Sequence, residues 1–218
     1  MRLALSKLCS IPDVFWESPE SRIQGFFGCD EQYEQNKLQE HRSWFRFMIK
    51  QLKKPKCPTG HLDPRDFEWC RVMCFIRWLS SGQNNLLCMP LQRSARKHIW
   101  QAIEDSHGPN RLLNPFWMHL PILSLIVLLW DEAIWHLQPL VTRIERSESY
   151  IKGSNPVSAL YKTPPDADLQ ELHEILRYAL HHAESSQVAV NVLEGMRDHY
   201  QHLLSMMDEN DSEQMRIY

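Results

Sequence analysis

Glycine is scarce in this chain, 7 in 218 residues. None falls in a G-x-G-x-x-G or P-loop arrangement, so a backbone loop that cradles phosphate is disfavoured. The G-x-S-x-G elbow and the H-E-x-x-H metal helix are also missing. Charge of one sign is lacking too. The 24 lysines and arginines against 27 acids leave a net charge of −3, without the basic excess of a nucleic-acid binder. The opening MRLALSKLCSIPDVFW has no long apolar stretch leading to a small-residue cleavage site. Asp13, Glu17 and Glu20 come too early for a transit peptide. The expectation is therefore a cytoplasmic protein whose six cysteines are free thiols. The most apolar run, residues 115–130, is 16 residues long and holds His119, Pro115 and Pro121. A membrane span needs about 20 apolar residues. Asp131 and Glu132 follow at once, so a buried core helix and no direct membrane span are expected.

What is present suits a folded core: 43% hydrophobic residues and 8 tryptophans. From Asp166 to Tyr218 there are 11 acids and 3 arginines, so this segment carries −8 and the rest of the chain +5. The first half reads as a small antiparallel meander. Residues 43–52 alternate through Phe45, Phe47 and Ile49, with Arg46 and Lys50 opposite; a short helix is the rival reading. The segment 53–64, rich in proline and lysine, reads as a loop. Residues 68–79 alternate again, with Cys70, Val72, Cys74, Ile76 and Trp78 on one face. A turn at 80–84 and a returning LLCMPL complete a hairpin.

The second half reads as helical. A short helix covers 92–105 and a long one 116–149, with a kink expected at Pro139. A linker rich in proline and glycine covers 151–165. The domain plan is then 1–150 as an α+β domain ending in a long helix, 151–165 as linker, and 166–218 as a heptad-patterned helix with an acidic tail. The fold class is α+β, mostly α, with a small antiparallel sheet in the N-terminal half followed by long helices, including a stalk-like C-terminal one. In that last helix, counting by sevens from Leu169 meets Leu176, Ala183, Val190, Arg197 and Leu204. Counting from Leu172 meets Ala179, Ser186, Leu193, Tyr200 and Met207. Only Arg197 and Ser186 depart from an apolar seam about 60 Å long. Such a seam is expected to pair with another long helix or with a second copy of itself.

Candidate chemistry is sparse. His199 and His202 lie three apart on this helix, but no third ligand stands at a telling spacing. Cys70 and Cys74 on a strand would be about 13 Å apart, too far to share one zinc. No metal and no cofactor are expected, and no catalytic residue is identified. Asp131-Glu132 offers a candidate buried acid. Arg46, Arg71 and Arg77 form a candidate anion site, although pairing with the acidic C-terminal helix explains them more simply.

Several stretches resemble the cytoplasmic part of the fungal CorA-like proteins, distant relatives of magnesium and zinc transporters. They are Ser43-Trp44-Phe45-Arg46-Phe47, Trp69-Cys70-Arg71-Val72-Met73, Asn114-Pro115-Phe116-Trp117-Met118-His119, Asp131-Glu132-Ala133-Ile134-Trp135, Val141 to Arg146, and Leu172 through Leu193-Glu194-Gly195-Met196. The resemblance covers about residues 10–205. In that family the stalk helix runs into a membrane span ending in Gly-Met-Asn. Here Gly195-Met196-Arg197 lies mid-helix, without an apolar span before it. The resemblance thus implies a membrane-free interaction or regulatory module that does not itself conduct ions. The alternative is a cofactor-free enzyme of fungal secondary metabolism, which cyclises an apolar small molecule by orienting it in an apolar pocket. A third reading is a truncated product with no function of its own.

Overall fold

A computed structural model describes residues 2–16, 25–53, 67–89, 93–105, 114–142 and 166–206. In chain order the elements are α1 (Arg2–Cys9), α2 (Asp13–Trp16), β1 (Phe26–Glu34), β2 (Lys37–Leu52), β3 (Phe67–Leu79), β4 (Asn84–Met89), α3 (Arg93–Asp105), α4 (His119–Trp135) and α5 (Asp166–Met206). The four strands form one antiparallel sheet in the order β1-β2-β3-β4. This corrects the expected architecture in its sheet, which is larger than the small one expected. The sheet starts at Phe26, well before residue 43, and its inner strands run for 16 and 13 residues.

The β1–β2 turn is made by Gln35 and Asn36, both with positive φ (50° and 64°). That is the backbone of a two-residue hairpin whose twist matches the flanking strands. Glu34 pairs with Lys37, and the register then shifts once between Gln32 and Tyr33. The β3–β4 turn closes at Gly82 (φ 85°), whose N–H donates to the Leu79 carbonyl at 2.9 Å. Glycine is suited to that left-handed position because it has no Cβ.

The chain forms two compact units. The first comprises Met1–Met48, Arg71–Val127 and Ser185–Tyr218; the second comprises Ile49–Cys70 and Leu128–Glu184. In the first, both faces of the sheet are covered. On one side Ile11 and Phe15 pack with Met73 and Phe75, joined by Leu5, Cys9, Trp16, Trp44, Leu87 and Met89. On the other side His41, Ser43 and Phe45 of β2 meet the start of α4 and the last turns of α5. In the second unit Tyr178 stacks near Phe67 at 4.7 Å. Its hydroxyl donates to the carbonyls of Lys50 (3.0 Å) and Ala133 (3.1 Å).

The helix expected over 116–149, with a kink at Pro139, is interrupted before that proline; residues 143–149 lie outside the described residues. Asn114 caps the approach to α4, its Oδ1 accepting the Phe116 N–H at 2.8 Å. The helix stops at Trp135, and Leu137 N–H turns back to the Ile134 carbonyl at 3.0 Å. Pro139 accounts for the break. It has no N–H to donate, and its ring would clash with the carbonyl of residue 135. A further helical turn follows as far as Thr142. Taken together, 119–142 is long and apolar enough to cross a membrane by length and composition. Ile122, Leu125, Ile126 and Ala133 are buried within the chain, whereas Leu120, Val127, Leu128, Ile134 and Trp135 are exposed. The loop 53–64 apart from Lys53, the linker 151–165 and Met207 lie outside the described residues.

Candidate functional site

Three imidazoles and a carboxylate meet on the covered face of the first unit. Glu31 and His41 are direct partners across β1 and β2, as are Cys29 with Ser43 and Phe27 with Phe45. Alternate residues of a strand share a face, so these pairs form one column. α5 supplies the next member from above. Its buried stripe runs Ile175, Tyr178, His182, Ser185, Ala189, Val192, Met196 and Leu203, at alternating steps of three and four as far as Met196. The same stepping places His199 between Met196 and Leu203. His199 Nε2 stands 3.0 Å from His41 Nε2 and 3.1 Å from Glu31 Oε1. Tyr33 donates its hydroxyl to the other carboxylate oxygen, Oε2, at 2.6 Å.

His119, at the first turn of α4, lies beside this group. Its Nδ1–H donates to the Phe116 carbonyl at 3.2 Å, which leaves Nε2 to accept the Ser43 hydroxyl at 2.9 Å. The Phe116 ring lies 4.9 Å from His41, 5.0 Å from His119 and 5.8 Å from His199, as an apolar wedge among all three. Burial in this apolar setting disfavours the imidazolium. It drives His41 well below the ordinary range, helped by His119 and His199. It takes His119 down to about 4, against the pull of the Phe116 carbonyl. His199 is lowered by burial, with Glu31 opposing. Burial, with Glu31 and Asp30 nearby, raises the Cys29 thiol to about 11. The cluster therefore holds neutral imidazoles beside an oriented carboxylate. It can relay a proton or hold a metal ion.

The second unit has a separate polar group. Lys50 is buried, its Nζ donates to His181 Nδ1 at 2.7 Å, and its ammonium lies over Phe67 (5.4 Å) and Trp69 (5.7 Å). Burial lowers its pKa, Arg177 adds to that, and Glu174 opposes it. The Lys50 carbonyl accepts from His182 Nε2 at 2.7 Å. An amine in such surroundings loses its proton more readily than a solvated lysine.

A curated protein shares part of this sequence. It is the notoamide biosynthesis cluster protein M′ of Aspergillus versicolor, 24% identical over 159 residues, 71% of this chain. The chain spans 32% of that relative's length. No protein-family model matches, and no solved structure matches.

The residues singled out from the sequence fall elsewhere. Leu169, Leu172, Leu176, Ala183, Val190 and Leu193 are exposed, and Ala179, Tyr200 and Leu204 are half-buried. The stripe that α5 buries inside the chain lies one residue away, on the adjoining face. Asp131 and Glu132 are exposed, with Asp131 accepting from Trp135 Nε1 at 3.0 Å, so neither is a buried acid. Arg77 makes a two-pronged pair with Glu40 of β2 (2.8 and 3.0 Å), and among the described residues of α5 it has no acidic partner. Arg46 lies over the Phe26 ring at 5.1 Å. Cys74 and Cys88 are cross-strand partners with their sulfurs 3.0 Å apart. The sequence reading missed Glu31, His41 and Lys50. It considered His199 only beside His202, which is exposed.

Proposed function

We propose that the chain serves fungal secondary metabolism. The observation that carries this reading is the likeness to notoamide biosynthesis cluster protein M′. The finer reading is an enzyme that cyclises an apolar small molecule. An open groove of about 510 Å³ beside the end of α4 is where such a ligand would lie. Ile134, Trp135, Leu137 and Val141 give it apolar walls, and Gln138 and Thr142 give it hydrogen-bonding groups. Ile134 and Trp135 are exposed. Such a groove would act by orienting its ligand against those two polar groups. Deleting the gene in its host and profiling metabolites by mass spectrometry tests the proposal. Loss of a product with build-up of its precursor is expected. An unchanged profile while neighbouring genes are transcribed refutes it.

A second reading, an interaction module, has its own supporting observation. Leu169, Leu172, Leu176, Val190 and Leu193 form an exposed apolar stripe at heptad spacing on α5. Two copies of this chain would present identical stripes to each other. The resemblance to CorA-like cytoplasmic domains belongs with this reading. Light scattering should then show a dimer that Leu176→Asp converts to monomer. A monomer at every concentration removes it.

A further inference from the structure

We propose that Glu31, His41 and His199 form a binding site for one divalent transition-metal ion, of the two-histidine, one-carboxylate type. The inference stands on geometry alone, whether or not the chain serves the metabolism proposed above. Each residue offers one donor atom, and the three atoms lie within 4.8 Å of one another. The His41–His199 separation is 3.0 Å and the His199–Glu31 separation is 3.1 Å. Bonds of about 2.1 Å to neighbouring octahedral positions put ligand atoms about 3.0 Å apart, and tetrahedral positions about 3.4 Å apart. The two observed separations fit three ligands on one face of such an ion.

Hydrogen bonds alone serve this arrangement poorly. If His199 carries its hydrogen on Nε2, that single hydrogen faces two acceptors, His41 Nε2 and Glu31 Oε1. If His41 carries the hydrogen instead, the His199 lone pair accepts it, and Glu31 Oε1 is left 3.1 Å from a nitrogen with no hydrogen to offer. A cation at the centre satisfies all three lone pairs at once.

The surroundings suit a metal as well. The Tyr33 hydroxyl fixes the far oxygen of Glu31 at 2.6 Å, the kind of outer contact that orients a ligating carboxylate. Phe27 and Phe116 stack near His199 at 5.9 and 5.8 Å and wall the site with apolar surface. His119 is left out of the ligand set, because its Nε2 is engaged by Ser43. Three protein ligands leave coordination positions open, which marks a reactive site rather than a closed structural one. Glu31 and His199 are each partly exposed, giving those positions a path to solvent.

The test uses the full chain without an affinity tag, stripped with chelator and titrated with Zn(II) and, separately, Co(II). One equivalent of either ion should bind, and Co(II) should show visible bands of a nitrogen-ligated site. Glu31→Gln keeps shape and partial exposure. It and His199→Gln should each weaken binding by about tenfold or more. His202→Gln, on the exposed side of the same helix, should leave affinity unchanged. Circular dichroism on each variant separates lost ligation from lost folding. Binding well below one equivalent in the wild type overturns the proposal. So does binding that survives in folded Glu31→Gln and His199→Gln, or that falls equally in His202→Gln.

Discussion

Leu203→Ala and Leu193→Ala make the same chemical change on the same helix, ten residues apart. Leu203 is 0% exposed, whereas Leu193 is 42% exposed. Helix propensity shifts equally at both sites, so the difference between them isolates the face. Truncating a fully buried leucine removes its transfer free energy and leaves a cavity, together about 2–5 kcal/mol. Leu203 lies in the first unit, where the last turns of α5 close over the sheet, so a value near the middle of that range, about 3 kcal/mol, is expected. For a chain of this size that lowers Tm by roughly 6–12 °C. Leu193→Ala should stay within about 0.5 kcal/mol at micromolar concentration. Thermal melts followed by circular dichroism measure both. Equal losses would refute the assignment of the buried stripe. A loss at Leu193 that grows with protein concentration would instead support pairing between copies.

The pH dependence has a definite sign. His119 stays neutral in the folded chain down to about 4, while the unfolded chain takes up its proton near 6.5. Between those values the unfolded state binds more protons. Stability is therefore fully present above about 6.5 and is lost as pH falls toward 4, by about 3 kcal/mol for this group. His119→Gln should flatten that part of a Tm-against-pH curve, and a curve unchanged by the variant would contradict the assignment. Gly28 faces Trp44 across β1 and β2, and a Cβ there would lie 2.5 Å from the indole nitrogen. Gly28→Ala should thus cost roughly 1–3 kcal/mol in urea unfolding, and a neutral result would mean that Trp44 moves aside freely. Glu40→Gln removes the charge that Arg77 grips with two hydrogen bonds. It should cost about 2 kcal/mol, and Arg77→Leu combined with it should cost less than the sum of the two single changes.

Strand β3 and its hairpin were legible because Cys70, Val72, Cys74, Ile76 and Trp78 recur at every second residue and Gly82 marks the turn, although Met73 and Phe75 bury the opposite face as well. β1 was not. Its turn is Gln35-Asn36, with no glycine to announce positive φ, and its sequence FFGCDEQYE carries three acids. Missing that hairpin meant missing the pairing of Glu31 with His41. The third member, His199, is 158 residues from His41, a separation that no local pattern spans. The length of α5 was readable, but the face it buries within the chain is a second stripe, one residue away from the pairing seam. Counting apolar residues favours the stripe through Leu169, Leu176 and Leu193. The stripe that is buried contains Glu174, His182 and Ser185 together with half-buried His199, which such a count penalises.

Those polar residues settle the rotational setting of α5. Two apolar stripes lie about 100° apart on one helix, so greasiness alone leaves the choice between them nearly degenerate. Rolling the helix by one residue would still bury leucines. It would also strip the Tyr178 hydroxyl and the His182 ring of the backbone carbonyls they now hold, and swing His199 away from Glu31. A buried donor without a partner costs about 1–3 kcal/mol. The penalty for the wrong setting thus comes from its unmet hydrogen bonds, and these work as an angular key. Replacing them with leucine would make the helix greasier on every side and leave it free to turn.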